Sequence, residues 1–275
     1  MISVIVLTKN EEKDLAACLE SVNWCDDIHV VDSGSTDKTL EIALAKGATV
    51  TINKFKSFGQ QRNFALDKLQ IKNKWIFFLD ADEVISEKFR LAMFETINNA
   101  ADDVAGFYCC WKMILDNKWL KYSDNFPKWQ FRLMSKGRAR FKDFGHGQKE
   151  DDVFGSIGYI REPYLHYGFS KGWSHWIDRH NRYSSSEALA RISNRPPFKN
   201  ILSKHGSVRN PALKSWLSKL PGWPFFRFFY TYVLRGGFLE GTSGFIYCIN
   251  MGYYEFLIKI KMREIKKDLE SKTKP

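Results

Sequence analysis

Short apolar runs alternate with segments of helical period over the first hundred residues. Four runs rich in β-branched or aromatic residues predict buried strands, and they are Ile2–Leu7, Ile28–Asp32, Ala48–Ile52 and Trp75–Leu79. Three segments between them predict helices, and they are Glu12–Val22, Asp37–Lys46 and Gly59–Leu69. The third helix is preceded by a capping box, from Ser57 to Gln60. Continuous apolar strands separated by helices predict an α/β fold, Rossmann-like, with a mostly parallel sheet and helices on both faces.

The pattern changes twice further along the chain. Over residues 104–168, short β-like pieces alternate with Gly, Asp and Lys turns, which predicts a mixed extension of the sheet. From Ser170 onward the period is helical, which predicts a helical C-terminal appendage. Proline-containing sites predict breaks in these helices, and they are Arg195–Pro197, Pro211 and Pro221–Pro224. We expect one domain over residues 1–168 and a helical region over residues 169–275.

Composition is typical of a folded protein. The chain has 275 residues, of which 44% are hydrophobic and 15% aromatic, enough for a sizeable core. Its 5 cysteines are scattered, with no CxxC pair, which predicts reduced thiols in a cytosolic setting. The first residues are apolar, without a basic lead-in or a small-residue cleavage site, so we do not expect secretion.

Charge is distributed unevenly. Residues 1–110 carry a net charge of −5, residues 111–198 of +7 and residues 199–275 of +9. The acidic first part suits catalytic or metal-binding carboxylates, and the basic, aromatic last part suits an anionic surface. Nucleic acid would also match that charge, and a nucleic-acid-binding protein is one alternative function. We expect no nucleic-acid partner, because no helix-turn-helix, RRM or zinc signature is present.

Two apolar stretches near the end bear on membrane association. Trp223–Leu234 contains Arg227, and Ser243–Ile258 contains Asn250 and Glu255, so neither matches a span of about 20 apolar residues. Aromatic residues beside lysine and arginine favour helices that lie in the membrane interface. The same helices can instead pack on the catalytic domain. The two interpretations are compatible and both stay open.

Three carboxylates follow the fourth predicted strand. Asp80, Asp82 and Glu83 lie where open α/β sheets gather their ligands, at the carboxyl end of a strand. Asp80 and Asp82 are two residues apart, so an extended backbone points both the same way. Such a pair can hold Mg²⁺ or Mn²⁺. A plain polar strand end before a helix starting at Ser86 is the alternative.

Polar residues also follow the other predicted strands. Thr8, Asn10 and Glu11 follow the first strand, and Asp32 begins a tight turn after the second. The Asp32 carboxylate can accept hydrogen bonds from a uracil or a ribose, and the helix that follows favours anions. Arg62 offers a guanidinium for a base carbonyl or a phosphate. Ordinary turn and capping chemistry explains each alone, but together they indicate a nucleotide site.

These motifs, in this order, resemble the inverting glycosyltransferases of family 2. The segments concerned are Ser3–Glu11, Val31–Asp37, Arg62-Asn63 and Leu79–Asp82. A weaker similarity to bacterial lipopolysaccharide-core β-glucosyltransferases and related exopolysaccharide enzymes continues along the chain. It runs through Arg132-Leu133, His146-Gly147, His166-Tyr167 and Leu234–Gly241. The resemblance implies a GT-A fold, a UDP-sugar donor, a divalent metal (Mn²⁺ or Mg²⁺) and sugar transfer by a single in-line displacement.

Residue roles follow from this resemblance. It implies a metal held by Asp82 with Asp80, and His166 is a candidate third ligand, or else a structural histidine. The segment Asp143–Asp152 is the expected source of the base. Within it we favour Glu150, then Asp151, with His146 orienting either; a solvated acidic turn is the alternative.

Two positions depart from the relatives. Asp32-Ser33 replaces a common Asp-Asp pair, and Gly147 follows His146 where core glucosyltransferases often have glutamate. The second departure leaves the base and the acceptor open.

The expected function is transfer of one sugar to a lipid-linked or lipopolysaccharide-core acceptor. The expected location is cytoplasmic, peripheral at the inner face of the cytoplasmic membrane. A processive polysaccharide synthase is the nearest enzymatic alternative. Such synthases carry Gln-x-x-Arg-Trp, whereas this chain has Gln130-Phe-Arg132-Leu.

Overall fold

The computed structural model describes residues 1–145, 147–193 and 196–273. The chain divides into two compact units. The first comprises Met1–Lys121 and Phe126–Gly172, and the second Tyr122–Asn125 and Trp173–Pro275. The domain boundary expected after residue 168 stays a prediction.

The first unit contains a mixed sheet and four helices among the described residues. Its strands are β1 Ile2–Thr8, β2 Ile28–Asp32, β3 Thr49–Ile52, β4 Trp75–Asp80, β5 Glu83–Val84, β6 Val104–Leu115, β7 Lys118–Trp119, β8 Trp129–Ser135, β9 Arg140–Phe144, β10 Gly147–Asp151 and β11 Ser156–His166. Its helices are α1 Leu15–Glu20, α2 Thr39–Ala45, α3 Phe58–Lys68 and α4 Glu87–Asn98. The four predicted strands and three predicted helices are confirmed. The predicted cap of α3 is confirmed too, because the Ser57 hydroxyl accepts a hydrogen bond from the Gln60 N–H at 3.3 Å.

The strand order places the expected site residues at one edge. The order is β3-β2-β1-β4-β8-β6-β11-β5. β3, β2, β1 and β4 are parallel, β8 is antiparallel to both its neighbours, and β6 is parallel to β11. Thr8 pairs with Asp32, and Leu7 pairs with Asp80. The ends of β1, β2 and β4 therefore meet at the same edge of the sheet.

Both faces of the central strands are covered, which explains their continuous apolar sequence. On one face, Val4, Phe77 and Leu79 pack in a cluster with Leu15 of α1 and Phe89 of α4. The opposite face packs against α3 and β9, through Ile5, Ile76, Phe78, Ala65 and Phe141. Because alternate residues of a strand point to opposite faces, both sets have to be apolar.

A β-bulge interrupts the pairing of β6 with β8. Phe107 pairs with Leu133, but the next residue, Tyr108, pairs with Phe131, which leaves Arg132 as the extra residue. A bulge bends its strand and redirects a side chain. Here the redirected side chain is that of Arg132, which reaches the carboxyl end of β4.

The acidic segment expected to supply the base contains a pair of strands. β9 and β10 are antiparallel, with Glu150 opposite Phe141 and Asp151 opposite Arg140. Directly opposite residues share a face of a strand pair. Phe141 is buried in the core, so Glu150 faces the core and Asp151 faces the other way. The carboxylates therefore do not lie on one solvated turn. His146 lies outside the described residues.

The second unit is helical, as the sequence predicts. Its helices are α5 Gly172–Ser193, which begins at the end of the first unit, α6 Gly206–Leu217, α7 Trp223–Phe229 and α8 Gly241–Thr273, with shorter turns at Phe198–Leu202, Tyr230–Leu234 and Gly237–Glu240. The predicted break at Pro211 is wrong. Pro211 lies inside α6, which continues from Gly206 to Leu217. The predicted break at Pro221–Pro224 is confirmed, because α7 begins there with Pro224 in its first turn. Residue 195, in the other predicted break, lies outside the described residues.

A buried carboxylate joins three helices of this unit. Glu255 of α8 accepts hydrogen bonds from Arg191 of α5 at 2.7 and 3.1 Å and from the indole of Trp223, in α7, at 2.9 Å. A buried charge needs such partners.

Among the described residues, no helix combines the length and the apolar character that crossing a bilayer requires.

Candidate functional site

Asp32 organises the turn after β2. Its carboxylate accepts hydrogen bonds from the Thr8 hydroxyl at 2.9 Å, the Gly34 and Ser35 N–H groups at 2.7 Å each, and the Ser35 hydroxyl at 2.5 Å. A carboxylate has about four acceptor positions. The turn thus fills the acceptor capacity of Asp32, and the contact between Asp32 and a nucleotide stays a prediction.

The loop after β1 is fastened on two sides. Asn10 has a φ of 54°, and its side-chain oxygen accepts a hydrogen bond from the Thr36 N–H at 2.9 Å. Lys171 donates to the Asn10 carbonyl at 2.6 Å and pairs with Glu11 at 2.6 Å. Burial raises the pKa of Glu11 to about 7, against the opposing effect of Lys171. Asn10 and Glu11 therefore lie in one fixed loop directly after Thr8, the last residue of β1, and the contact of these three residues with a nucleotide stays a prediction.

A small cleft lies where β3 meets α3. Gln61 is 1% exposed, and its amide oxygen accepts a hydrogen bond from the Asn53 side chain at 2.7 Å. The cleft has a volume of about 160 Å³ and is lined by Asn53, Lys54, Lys56, Gln60, Gln61 and Phe64. Sequence reasoning missed Gln61 and Asn53. Both could have been found from their positions, because Gln61 precedes Arg62 and Asn53 directly follows a predicted strand.

Two buried arginines hold Asp80. Arg132 donates to its two carboxylate oxygens at 3.1 and 2.6 Å, and Arg62 donates at 3.3 Å. Burial opposes ionisation of Asp80, but the two guanidinium groups outweigh it and hold its pKa well below the usual range. Asp80 and Arg62, both predicted for the nucleotide site, therefore meet directly. The observed partners of Asp80 are guanidinium groups, and its predicted contact with a metal is untested.

Arg62 retains hydrogen-bonding capacity. It is 1% exposed, its guanidinium lies 5.3 Å from the ring centroid of Phe78, and burial lowers its pKa to about 10. Its Nε and Nη1 atoms have no hydrogen-bond partner among the described residues. Buried donors are normally satisfied.

Glu83 completes the network below Asp80. Its carboxylate is 1% exposed and accepts hydrogen bonds from Arg132 at 2.6 Å, from the Tyr164 hydroxyl at 3.2 Å and from the Asp80 N–H at 2.8 Å. Arg132 therefore bridges two carboxylates that lie three residues apart. Sequence reasoning assigned no role to either Glu83 or Arg132.

Asp82 and His166 come together through the pairing of β5 with β11. Glu83 of β5 pairs with His166, and the Asp82 carbonyl accepts the Tyr167 N–H at 2.8 Å. The His166 Nε2 lies 3.4 Å from an Asp82 carboxylate oxygen. Burial lowers the pKa of His166, but the Asp82 carboxylate outweighs this effect and raises it. Two residues 84 positions apart, both predicted as metal ligands, are thus neighbours.

This pair fits a divalent metal. Two ligand atoms at about 2.1 Å from one ion and at a right angle are about 3 Å apart, close to the observed separation. A carboxylate oxygen with an imidazole nitrogen suits Mn²⁺. The His166 Nδ1 is buried without a hydrogen-bond partner among the described residues. Within that part of the chain, no group of three or more His, Cys, Asp or Glu side chains is arranged to hold an ion.

The two candidate bases have different surroundings. The Tyr108 hydroxyl donates a hydrogen bond to Glu150, which fixes one carboxylate oxygen against β6. Asp151 forms an ion pair with Lys142 at 2.6 Å on the surface. The assignment of the base remains a prediction.

Comparison with known proteins identifies the relatives of this arrangement. The model of the family described as Glycosyl transferase family 2 matches residues 3–168. A lipopolysaccharide core biosynthesis glycosyltransferase of Rhizobium meliloti is 25% identical over 269 residues, which cover 95% of this chain and 91% of that protein. An uncharacterized glycosyltransferase of Rickettsia conorii is 28% identical over 275 residues, covering 96% and 90%.

A solved structure shows a similar fold. It is the mannosyltransferase of Pyrobaculum calidifontis in complex with GDP-Man and Mn²⁺, with a TM-score of 0.52 and 17% identity. The match covers 95% of this chain and 86% of that one. The expected GT-A fold is confirmed.

The buried network predicts a large difference between two arginines. Arg132→Met leaves Asp80 and Glu83 without their shared counter-ion, which we expect to cost about 3–5 kcal/mol of the free energy of unfolding. Arg140→Met is the matched control, because Arg140 pairs at 2.6 Å with Asp67 but both side chains are more than 40% exposed. We expect the control to cost about 1 kcal/mol or less. Urea denaturation measures both, and equal losses would contradict the role given to Arg132.

Proposed function

The chain belongs to glycosyl transferase family 2, and we propose that it transfers one hexose from UDP-hexose to a saccharide acceptor with inversion. The observation that carries the proposal is the Asp82–His166 pair beside the Asp80–Arg62–Arg132 network. The pair and the network lie at the edge where β1, β2 and β4 end, and this neighbourhood of a carboxylate–imidazole pair and buried guanidinium groups supports a metal and nucleotide site there. A nucleoside diphosphate attached to a sugar presents the anionic oxygens that such an edge would bind.

These residues support the proposed binding of the nucleotide-sugar donor. An Mn²⁺ or Mg²⁺ ion held by Asp82 and His166 would offset the charge that builds on the departing diphosphate. Arg62 supplies unsatisfied N–H donors for a phosphate or a base carbonyl. The nucleotide would be bordered by the fixed loop of Asn10 and Glu11, which follows Thr8, and by the Asp32 turn. Both are held in place before a ligand binds, which lowers the entropy cost of orienting the nucleotide.

Glu150 is our choice for the base. Inversion needs a carboxylate that takes the proton of the acceptor hydroxyl as that oxygen attacks. Glu150 faces the sheet and is oriented by Tyr108, whereas Asp151 is held at the surface by Lys142. A base has to be positioned before it can act, which favours Glu150.

The acceptor assignment rests on relatives and on the second unit. The Rhizobium protein is described as acting in lipopolysaccharide core biosynthesis, so we propose a lipopolysaccharide-core or other lipid-linked acceptor. Such an acceptor is presented at a membrane, and we propose peripheral binding at the inner face of the cytoplasmic membrane. Seven apolar residues between positions 225 and 239 are 45% or more exposed, and they are Phe225, Phe226, Phe229, Tyr230, Leu234, Phe238 and Leu239. We call these seven the aromatic patch.

Ligand binding provides the first test of the donor. UDP with Mn²⁺ should raise the melting temperature, since a ligand that binds only the native state adds about 2.7 kcal/mol at one hundred times its Kd. Mn²⁺ without nucleotide should raise it little. GDP and ADP are the controls, and GDP matters because the Pyrobaculum relative binds GDP-Man. Stabilisation by GDP but not by UDP would replace the donor and keep the reaction, while no effect of any nucleotide would contradict the proposal.

Substitution of the proposed metal ligands provides the second test. Asp82→Ala and His166→Ala should each abolish the extra stabilisation that Mn²⁺ gives in the presence of UDP, and should abolish sugar transfer. Asp102→Ala is the control, because the Asp102 side chain is fully exposed and its pair with Lys74 spans 3.8 Å. Isothermal titration and circular dichroism separate lost binding from lost folding. Retention of the Mn²⁺ effect in Asp82→Ala would remove this residue from the metal site.

Liposome co-sedimentation tests the membrane surface. Residues 199–275 carry a net charge of +9, and anionic lipid attracts about 1 kcal/mol per nearby Lys or Arg. We expect strong binding to phosphatidylglycerol vesicles, weak binding to zwitterionic vesicles and partial reversal by salt. Phe225→Ser with Phe226→Ser should weaken binding, whereas Phe154→Ser, at an exposed site of the first unit, should not. Equal binding to both vesicle types would contradict the proposal.

A further inference from the structure

An exposed row of aromatic rings lies across β8, β11 and β6. Tyr159 stacks on Tyr108 with ring centroids 5.3 Å apart, and Trp129 makes a T-shaped contact with Tyr159 with ring centroids 5.0 Å apart. Tyr159 is 54% exposed and Trp129 is 36% exposed. Large aromatic side chains usually bury most of their surface, and exposed ones in clusters mark interaction sites. We call Trp129, Tyr159 and Tyr108 the Tyr159 platform.

The platform forms one wall of an open cleft. Phe126, Pro127 and Arg161 line the cleft together with Trp129 and Tyr159, and its volume is about 500 Å³. Ligand sites in proteins range over about 300–1,000 Å³ and combine aromatic walls with a few polar groups. One or two sugar rings fit such a volume. The nucleotide residues Asp32, Arg62 and Asp80 are not among those that line this cleft.

Charged groups stand at both ends of the platform. The Arg161 side chain is exposed and forms no ion pair with any described residue, so its guanidinium can meet an anion. At the other end, the Tyr108 hydroxyl holds Glu150, the base that we favour. A ligand lying on Tyr159 would share the cleft with Arg161, and Glu150 is joined to the platform through the Tyr108 hydroxyl.

We propose that the Tyr159 platform is the acceptor subsite and binds a pyranose that carries a phosphate or a carboxylate. A pyranose presents one face of C–H groups, which stacks on an aromatic ring, and a rim of hydroxyls, which needs polar neighbours. Arg161 pairs with the anionic substituent, and Glu150 lies where a hydroxyl of the stacked ring can reach it. This inference rests on the proposed function, and it adds the acceptor class and the residues that recognise it.

Saturation-transfer NMR with small probes tests the subsite directly. Glucose 6-phosphate and glucuronic acid represent the two anionic substituents, and methyl glucoside lacks the anion. Inorganic phosphate lacks the ring and gives no proton signal, so its binding is measured by competition with the sugar signals. At least one of the two anionic sugars should bind saturably in the millimolar range. Methyl glucoside and phosphate should each bind about tenfold more weakly, because each loses one of two interactions.

Three variants identify the residues. Tyr159→Ala removes the stacking face and should weaken the anionic sugar about tenfold, whereas Tyr159→Phe keeps the ring and should bind normally. Arg161→Met should reduce binding to the level of methyl glucoside. Arg161 is exposed, so this variant remains informative if Tyr159→Ala does not fold. Stabilisation by UDP with Mn²⁺ should be unchanged in each folded variant.

Several results would overturn the inference. They are binding of phosphate as tight as that of either sugar, no saturable binding of either anionic sugar, normal binding by Arg161→Met, and displacement of the sugar by UDP. The last result would assign the platform to the donor. These results are distinct from a failure of the proposed function. The proposed function fails if no nucleotide binds the wild-type protein, independently of the result with the sugars.

Discussion

One guanidinium shared by two carboxylates holds the candidate site in place. Asp80 ends β4 and Glu83 begins β5; Asp80 is partly exposed, whereas Glu83 is 1% exposed and needs a counter-ion to stay ionised. Arg132 contacts each of them at 2.6 Å. With both ends of this short segment fixed, the chain between them has to turn at residues 81–82. The same segment continues into β5, which pairs with β11 and brings Asp82 to His166.

The bulge on β8 is what makes Arg132 available. In a regular strand, Arg132 would pair across to β6, but the bulge leaves it outside the ladder and turned to the end of β4. A second cation, Arg62, reaches the same carboxylate from α3 and still has two unsatisfied nitrogen atoms. The Asp82–His166 pair lies beside this network, at the edge where we propose that a metal and a diphosphate bind.

Local patterns predicted the parts of the structure that local physics determines. The apolar runs correctly predicted β1 to β4 because both faces of those strands are buried. Ser57 correctly predicted the start of α3 because its hydroxyl caps that helix. The carboxyl ends of parallel strands brought Thr8, Asp32 and Asp80 to one edge, as the order of elements implied. The bulge at Arg132 and the pairing of β5 with β11 depend on contacts between distant strands, and no local pattern encodes them. The role of Arg132, the partner of Glu83 and the hairpin that carries Glu150 were therefore beyond sequence reasoning.

Family membership is more informative about the donor than about the acceptor, because it reflects local motifs rather than contacts between distant strands. The edge proposed to bind the donor is built from short contiguous segments, so a family model that covers residues 3–168 carries information about it. The Tyr159 platform is assembled from single residues on β6, β8 and β11, each chosen by its register in the sheet. One substitution at such a position changes the ring that a sugar meets and leaves every donor motif intact. Relatives at 25–28% identity can therefore share the chemistry of transfer and differ in the saccharide they extend. The acceptor has to be determined from the side chains of this chain.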